Sequence, residues 1–181
     1  ISVSLLIAIH LGVLAPWISA ATFTVDRTDD EFAATGCTGA ANDCSLRGAI
    51  LAANAATGAD IVDIPAGTYT LSIPGADEND GLTGDLDITG TVTIQGAGKN
   101  LTIVDGGGLD RVFHVGNWAT AAISSLTVQN GYVDASDGGG GILSGPYGAP
   151  SLTLISVTVQ NNAVAEWRSG GGVSAIGSLT L

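Results

Sequence analysis

The sequence predicts an all-β chain, a right-handed parallel β-helix (solenoid) with a short N-terminal capping helix, and three observations carry that prediction. Segments alternating apolar and polar residues are separated by breaks rich in glycine, which supplies 27 of the 181 residues. The segments recur at a nearly constant spacing, the signature of a repeat architecture. Aromatic residues make up 5% of the chain and charged residues 12%, which argues against a large helical bundle, while frequent Thr, Val, Ile and Leu argue against disorder. With 17 acidic against 5 basic residues the formal net charge is -12, so polyanionic partners such as nucleic acid or an anionic membrane are excluded on electrostatic grounds.

Residues 1–25 carry no Asp, Glu, Lys or Arg, and the apolar run through Leu5, Ile7, Ile9, Leu11 and Leu14 has the length of a signal-peptide core. Pro16 and the small residues Ser19, Ala20 and Ala21 then predict a cleaved signal over residues 1–21, with the mature chain starting near Thr22. An uncleaved anchor is the alternative, since about 20 apolar residues can span a bilayer. Cleavage implies a secreted or cell-surface protein with no membrane insertion afterwards. The absence of an initiator Met and the strand-like pattern at Leu181 lead us to expect a fragment of a longer reading frame, truncated at the C-terminus.

The next segment, residues 22–60, is expected to be an N-terminal cap. Cys37 and Cys44 are the only cysteines, and in an exported chain so close a pair predicts a disulfide. Closing that loop stabilises by about 2.5 kcal/mol in the chain-entropy account. Leu46, Ala49, Ile50 and Ala53 follow at helical spacing, with Asp43 or Ser45 available as N-cap. Gly48 inside this helix is expected to cost about 1 kcal/mol relative to Ala. The helix is placed to cover the first coil, whose open edge would otherwise recruit other chains.

From residue 61 to 181 the period changes to two. Tyr69, Leu71 and Ile73 share one face while Thr68, Thr70 and Ser72 share the other, and Leu86 alternates with Asp85 and Asp87 in the same way. Thr127-Val128-Gln129-Asn130 returns 31 residues later as Thr158-Val159-Gln160-Asn161, and Gly139-Gly140-Gly141-Ile142 returns as Gly170-Gly171-Gly172-Val173 at the same offset. Ser151-Leu152-Thr153-Leu154 returns as Ser178-Leu179-Thr180-Leu181 after 27 residues, so the strands repeat while a loop shortens. Such coils stack like residues about 4.8 Å apart. Leu152, Leu154, Val157 and Val159 are expected to point inward, and Asn130 and Asn161 to form a structural side-chain amide ladder at a turn.

The run from Cys44 through Ser45-Leu46-Arg47-Gly48-Ala49-Ile50, continuing through Pro65-Ala66-Gly67-Thr68-Tyr69 and Gly84-Asp85-Leu86-Asp87-Ile88, resembles the CSLREA-type bacterial and archaeal surface proteins. The resemblance covers most of the mature chain. It implies a right-handed parallel β-helix with an N-terminal cap, in exported proteins described as adhesin-like or polymorphic outer-membrane-protein-like, and it implies no reaction. Gly48 stands where that family carries Glu, which removes one partner for Arg47.

The chemistry-bearing residues are sparse, and no catalytic, cofactor or metal set is assigned. Of the two histidines, His10 lies in the signal and His114 stands near Arg111, for which a structural or surface role is expected. Asp77, Glu78 and Asp80, followed by Asp85 and Asp87, offer oxygen ligands suited to Ca²⁺, but Gly81 stands fifth from Asp77 rather than sixth, unlike an EF-hand. A solvated loop is expected instead, with Asp85 and Asp87 pointing outward and keeping the surface soluble. Trp118 and Trp167 are weak candidates for sugar stacking. The expected function is structural or adhesive display by a monomer, with surface glycans or other cell-surface proteins as partners. The alternative is a polysaccharide lyase or hydrolase of the pectin-lyase-like β-helix type whose catalytic residues lie outside the chain.

Overall fold

The computed structural model describes residues 19–76, 78–134, 138–165 and 170–181. Most of the expected signal segment, together with Asp77 and Trp167, lies outside the described residues. The chain is a parallel β-solenoid of about four turns. It opens with strand β1 (Thr22–Thr24) and helix α1 (Leu46–Ala55). The first coil holds β2 (Ala59–Ile64), β3 (Gly67–Thr70) and β4 (Leu86–Ile88), and the second β5 (Thr91–Gly96), β6 (Thr102–Asp105) and β7 (Phe113–Val115). The third holds β8 (Thr120–Ser124), β9 (Thr127–Gln129), β10 (Tyr132–Val133) and β11 (Ile142–Ser144). The fourth holds β12 (Ser151–Ile155), β13 (Thr158–Gln160), β14 (Ala163–Val164) and β15 (Val173–Ala175), after which β16 (Ser178–Thr180) begins another.

All strand pairings are parallel, in sheets ordered β1-β2-β5-β8-β12-β16, β3-β6-β9-β13, β4-β7-β11-β15 and β10-β14. Register matches the repeat, with Thr127 opposite Thr158 and Ser151 opposite Ser178. Alternation then builds inward columns such as Val62, Ile94, Ile123 and Leu154, one residue per coil, all buried. Leu86, Phe113, Ile142 and Val173 form the equivalent column of another sheet. Each column removes apolar area from water only when the coil on either side is present.

The expected helix and disulfide are both found, as a cap on the first coil. Cys37 and Cys44 are bonded, and Asp26 Oδ1 accepts from the Cys44 amide at 2.9 Å to fix the loop. Of the two N-cap candidates it is Ser45 that serves, its Oγ accepting from Gly48 N at 2.9 Å. Leu46, Ala49, Ile50 and Ala53 face the core and are buried, packing toward β2 and β4. Asn54 ties the far end of the helix to the first coil, donating to Asp87 O at 2.7 Å and accepting from Thr89 N at 3.0 Å.

Two expectations about this cap are corrected. Gly48 is required there: a Cβ at that position would lie 1.9 Å from the Ala34 carbonyl oxygen, so helix propensity does not decide the choice. Arg47 also has a carboxylate partner without Glu at position 48. It is 1% exposed, its Nε and Nη2 donate to Asp30 at 2.7 and 3.1 Å, and its Nη atoms reach the carbonyls of Gly81, Gly84 and Asp85 at 2.8–2.9 Å. A planar, always-charged fork suits several acceptors in one plane, which ammonium cannot match.

The repeated asparagines are explained by backbone conformation. Asn130 and Asn161 both take left-handed φ, 56° and 53°, as do Ser125 and Ser156 at the preceding turn of the same coils. Asparagine tolerates that region better than most residues. The amide ladder expected at Asn130 and Asn161 runs one residue earlier, from Gln160 Nε2 to Gln129 Oε1 at 3.0 Å and from Gln129 Nε2 to Asp105 Oδ2 at 2.8 Å. Asn130 joins from the side, its Nδ2 donating to the same Asp105 oxygen at 2.8 Å.

Candidate functional site

Strand β4 directs Leu86 and Ile88 into the core, so Asp85 and Asp87 lie on the outer face of the solenoid, as alternation requires. They are nevertheless buried, at 3% and 1% exposure, which corrects the expectation of a solvated pair. Two structures cover them. The loop before β4 folds back, and Gly81 N donates to Asp87 Oδ2 at 2.9 Å while Arg47 holds the loop carbonyls from beneath. From the next coil, β7 places His114 opposite Asp87, and Arg111 stands just ahead of the strand.

His114 Nδ1 lies 2.7 Å from Asp87 Oδ1, and its Nε2 lies 2.7 Å from the Gly145 carbonyl oxygen. Both ring nitrogens thus lie within hydrogen-bond distance of oxygen atoms. Arg111 Nε is 2.7 Å from Asp85 Oδ2, but neither Nε nor Nη1 has an aligned acceptor among the described residues, so this close contact is not an aligned hydrogen bond. Asp110 flanks the group and accepts from Arg111 N at 2.7 Å.

Burial drives the Asp85 carboxyl upward, and the neighbouring Asp87 and Asp110 charges add to it, against the pull of Arg111; the result is a group pushed up to about 9. One guanidinium at 2.7 Å argues for the ionised form, yet its N–H does not point along the contact, and three carboxyls share the space. Asp85 therefore holds its proton at neutral pH.

These groups form the floor of a cleft of about 530 Å³, walled by Glu78, Asn79, Thr89, Asn117 and Tyr147. Tyr147 is 72% exposed. Trp118, 76% exposed, follows Asn117 and holds a left-handed φ of 64°, an uncommon conformation for a bulky side chain. Such conformations cluster at ligand sites. Among the acidic residues considered from sequence, Glu78 turns its oxygens to the Asp80 and Thr83 amides, at 2.7 and 3.1 Å, and Asp80 is exposed.

Asp85, Asp87 and His114 also place one ligand atom each within 4.8 Å of one another. A divalent cation there would have to displace Arg111 from Asp85 and break the His114 contacts with Asp87 and Gly145. Among the described residues no helix is long and apolar enough to cross a membrane.

The cleft's central pairs, Asp85 with Arg111 and Asp87 with His114, were not drawn from the sequence. The usable signal is an Asp-x-Asp on one coil and an Arg-x-x-His on the next. The two are linked by the register of β4 and β7, which sets Asp87 and His114 27 residues apart. Comparison of the chain with protein-family models, curated proteins and solved structures returned no match.

Proposed function

We propose that this chain is an exported β-helix protein of the cell surface or medium that binds glycan chains in the cleft beside Tyr147 and Trp118. This is an adhesive role of the kind the CSLREA-type resemblance implies. The observation that carries the reading is an exposed aromatic side chain, Tyr147, in a concave wall with Glu78, Asn79 and Asn117, the last followed in the chain by the exposed Trp118. Sugar rings offer apolar C–H faces that stack on aromatic rings and hydroxyls that bond to amides and carboxylates. The rigid coils hold that wall in place without substrate.

A second reading, cleavage of the bound glycan, is favoured by one feature: burial pushes the Asp85 carboxyl up to about 9 beside a second carboxyl, Asp87, and acid–base glycosidases pair a raised acid with a second carboxyl group. A glycan array probed with and without Ca²⁺, with chain-end release assayed on each glycan bound, separates the two. Binding without release, weakened about tenfold or more by Trp118→Ala with Tyr147→Ala, supports adhesion. Release that disappears in Asp85→Asn supports catalysis, and an array with no bound glycan overturns both.

A further inference from the structure

Asp60 occupies a position built for an apolar side chain. Period two in β2 puts it on the same inward face as Val62 and Ile64, and it is 1% exposed. Across the coils its column continues as Val92, Ala121, Leu152 and Leu179, so Asp60 is the single charged member. A carboxylate so placed calls for a positive partner or several donors. Among the described residues it has one hydrogen bond, from the backbone N–H of Ala21 at 2.7 Å. The Ala21 carbonyl also accepts from Ile61 N at 2.8 Å, continuing the pairing of β1 with β2. Ser19 and Ala20, just before it, are exposed and outside any strand.

We infer that the chain is cut between Ala20 and Ala21 and that the new α-ammonium of Ala21 is the ionic partner of Asp60. An export-associated peptidase adds water across the Ala20–Ala21 amide. The C–N bond breaks, Ala20 leaves with the carboxylate, and Ala21 keeps the protonated amine. The amide donor seen at Asp60 then becomes a cation with three N–H groups, and a charge-assisted hydrogen bond replaces a neutral one. Cutting one residue later, after Ala21, would remove both the Asp60 donor and the acceptor for Ile61 N. By sequence, Ser19 and Ala21 at small-x-small spacing favour a cut after Ala21, and the earlier cut puts Ile18 at the third place before it; the structure selects the earlier one because it keeps the Ala21 contacts.

Export of the full chain with its own leader from a bacterial host, followed by intact mass and N-terminal sequencing, tests the cut. A product beginning at Ala21 is expected; one beginning at Thr22, or one retaining the leader, overturns the inference. The ion pair is tested by comparing Asp60→Asn in a chain starting at Ala21 and in one extended to Ser19. The fall in urea midpoint is expected to be roughly twofold larger in the chain with the free Ala21 amine. Equal falls in the two chains would show that Asp60 does not sense that charge.

Discussion

The first coil and the last described one differ in how far their apolar columns are buried. At the first coil, α1 lays Leu46, Ala49, Ile50 and Ala53 over the core, and all four are buried. In the fourth coil Val159 and Val173 are only partly buried, and in β16 Leu179 is 41% exposed. The same column positions are thus worth very different amounts along the axis, because a coil gains its burial from its neighbours. A residue type says little about its contribution until its neighbours on both sides are known.

The sharpest way to break the contrast is at Arg47, which joins the cap to the loop before β4. Arg47→Met leaves Asp30 buried without its cation and frees the loop carbonyls, and a loss of about 3–5 kcal/mol is expected in urea unfolding. Arg47→Lys should recover only a small part of it, because one ammonium cannot reach the same set of acceptors. Next come two truncations of the same kind at opposite ends. Ile50→Ala should cost about 2–5 kcal/mol, whereas Leu179→Ala in this 181-residue chain should cost well under half of that, and equal losses would contradict the difference in burial.

Smaller still is the disulfide. Cys37→Ala is expected to lower stability by about 2.5 kcal/mol at most, because the closed loop is short and Asp26 continues to hold the Cys44 amide. The last effect, at Asp85, depends on pH and vanishes at the acid end. Its folded pKa, about 9, lies above the ordinary value of 3.8 that holds in the unfolded chain, so the folded chain binds the extra proton. Folding stability from this group is therefore greatest at low pH and falls as pH rises between the two values. Asp85→Asn should match the parent near pH 4 and gain on it steadily as pH rises toward 8, as read from thermal unfolding across pH. A constant difference would show that Asp85 does not titrate in that window.

The architecture was legible because strands were written in residues whose period matches their burial, and because Thr127 to Asn130 and Thr158 to Asn161 are close copies. The helix was legible for the same reason, since its inward residues fall at helical spacing beside a serine cap. The cleft was much less so. Alternation correctly put Asp85 and Asp87 on the outer face, but outer is not the same as wet once a loop folds back over the strand. Their partners lie on the second coil, where the offset to the first is 27 residues and not the 31 that the later copies display. Gly48 misled for a related reason: what decides it is the Ala34 carbonyl, a contact from across a loop that no local propensity records.

Arg47 gives the molecule an assembly rule. Its guanidinium closes on Asp30 from the segment before the helix and on carbonyls of the loop that roofs Asp87, so the wall of the cleft is fastened from the capping side. A set of coils moved into another scaffold would keep its strands and lose that roof, unless Asp30 and the helix travelled with it. The finished shape of the cleft and the seating of the cap therefore depend on each other through one side chain.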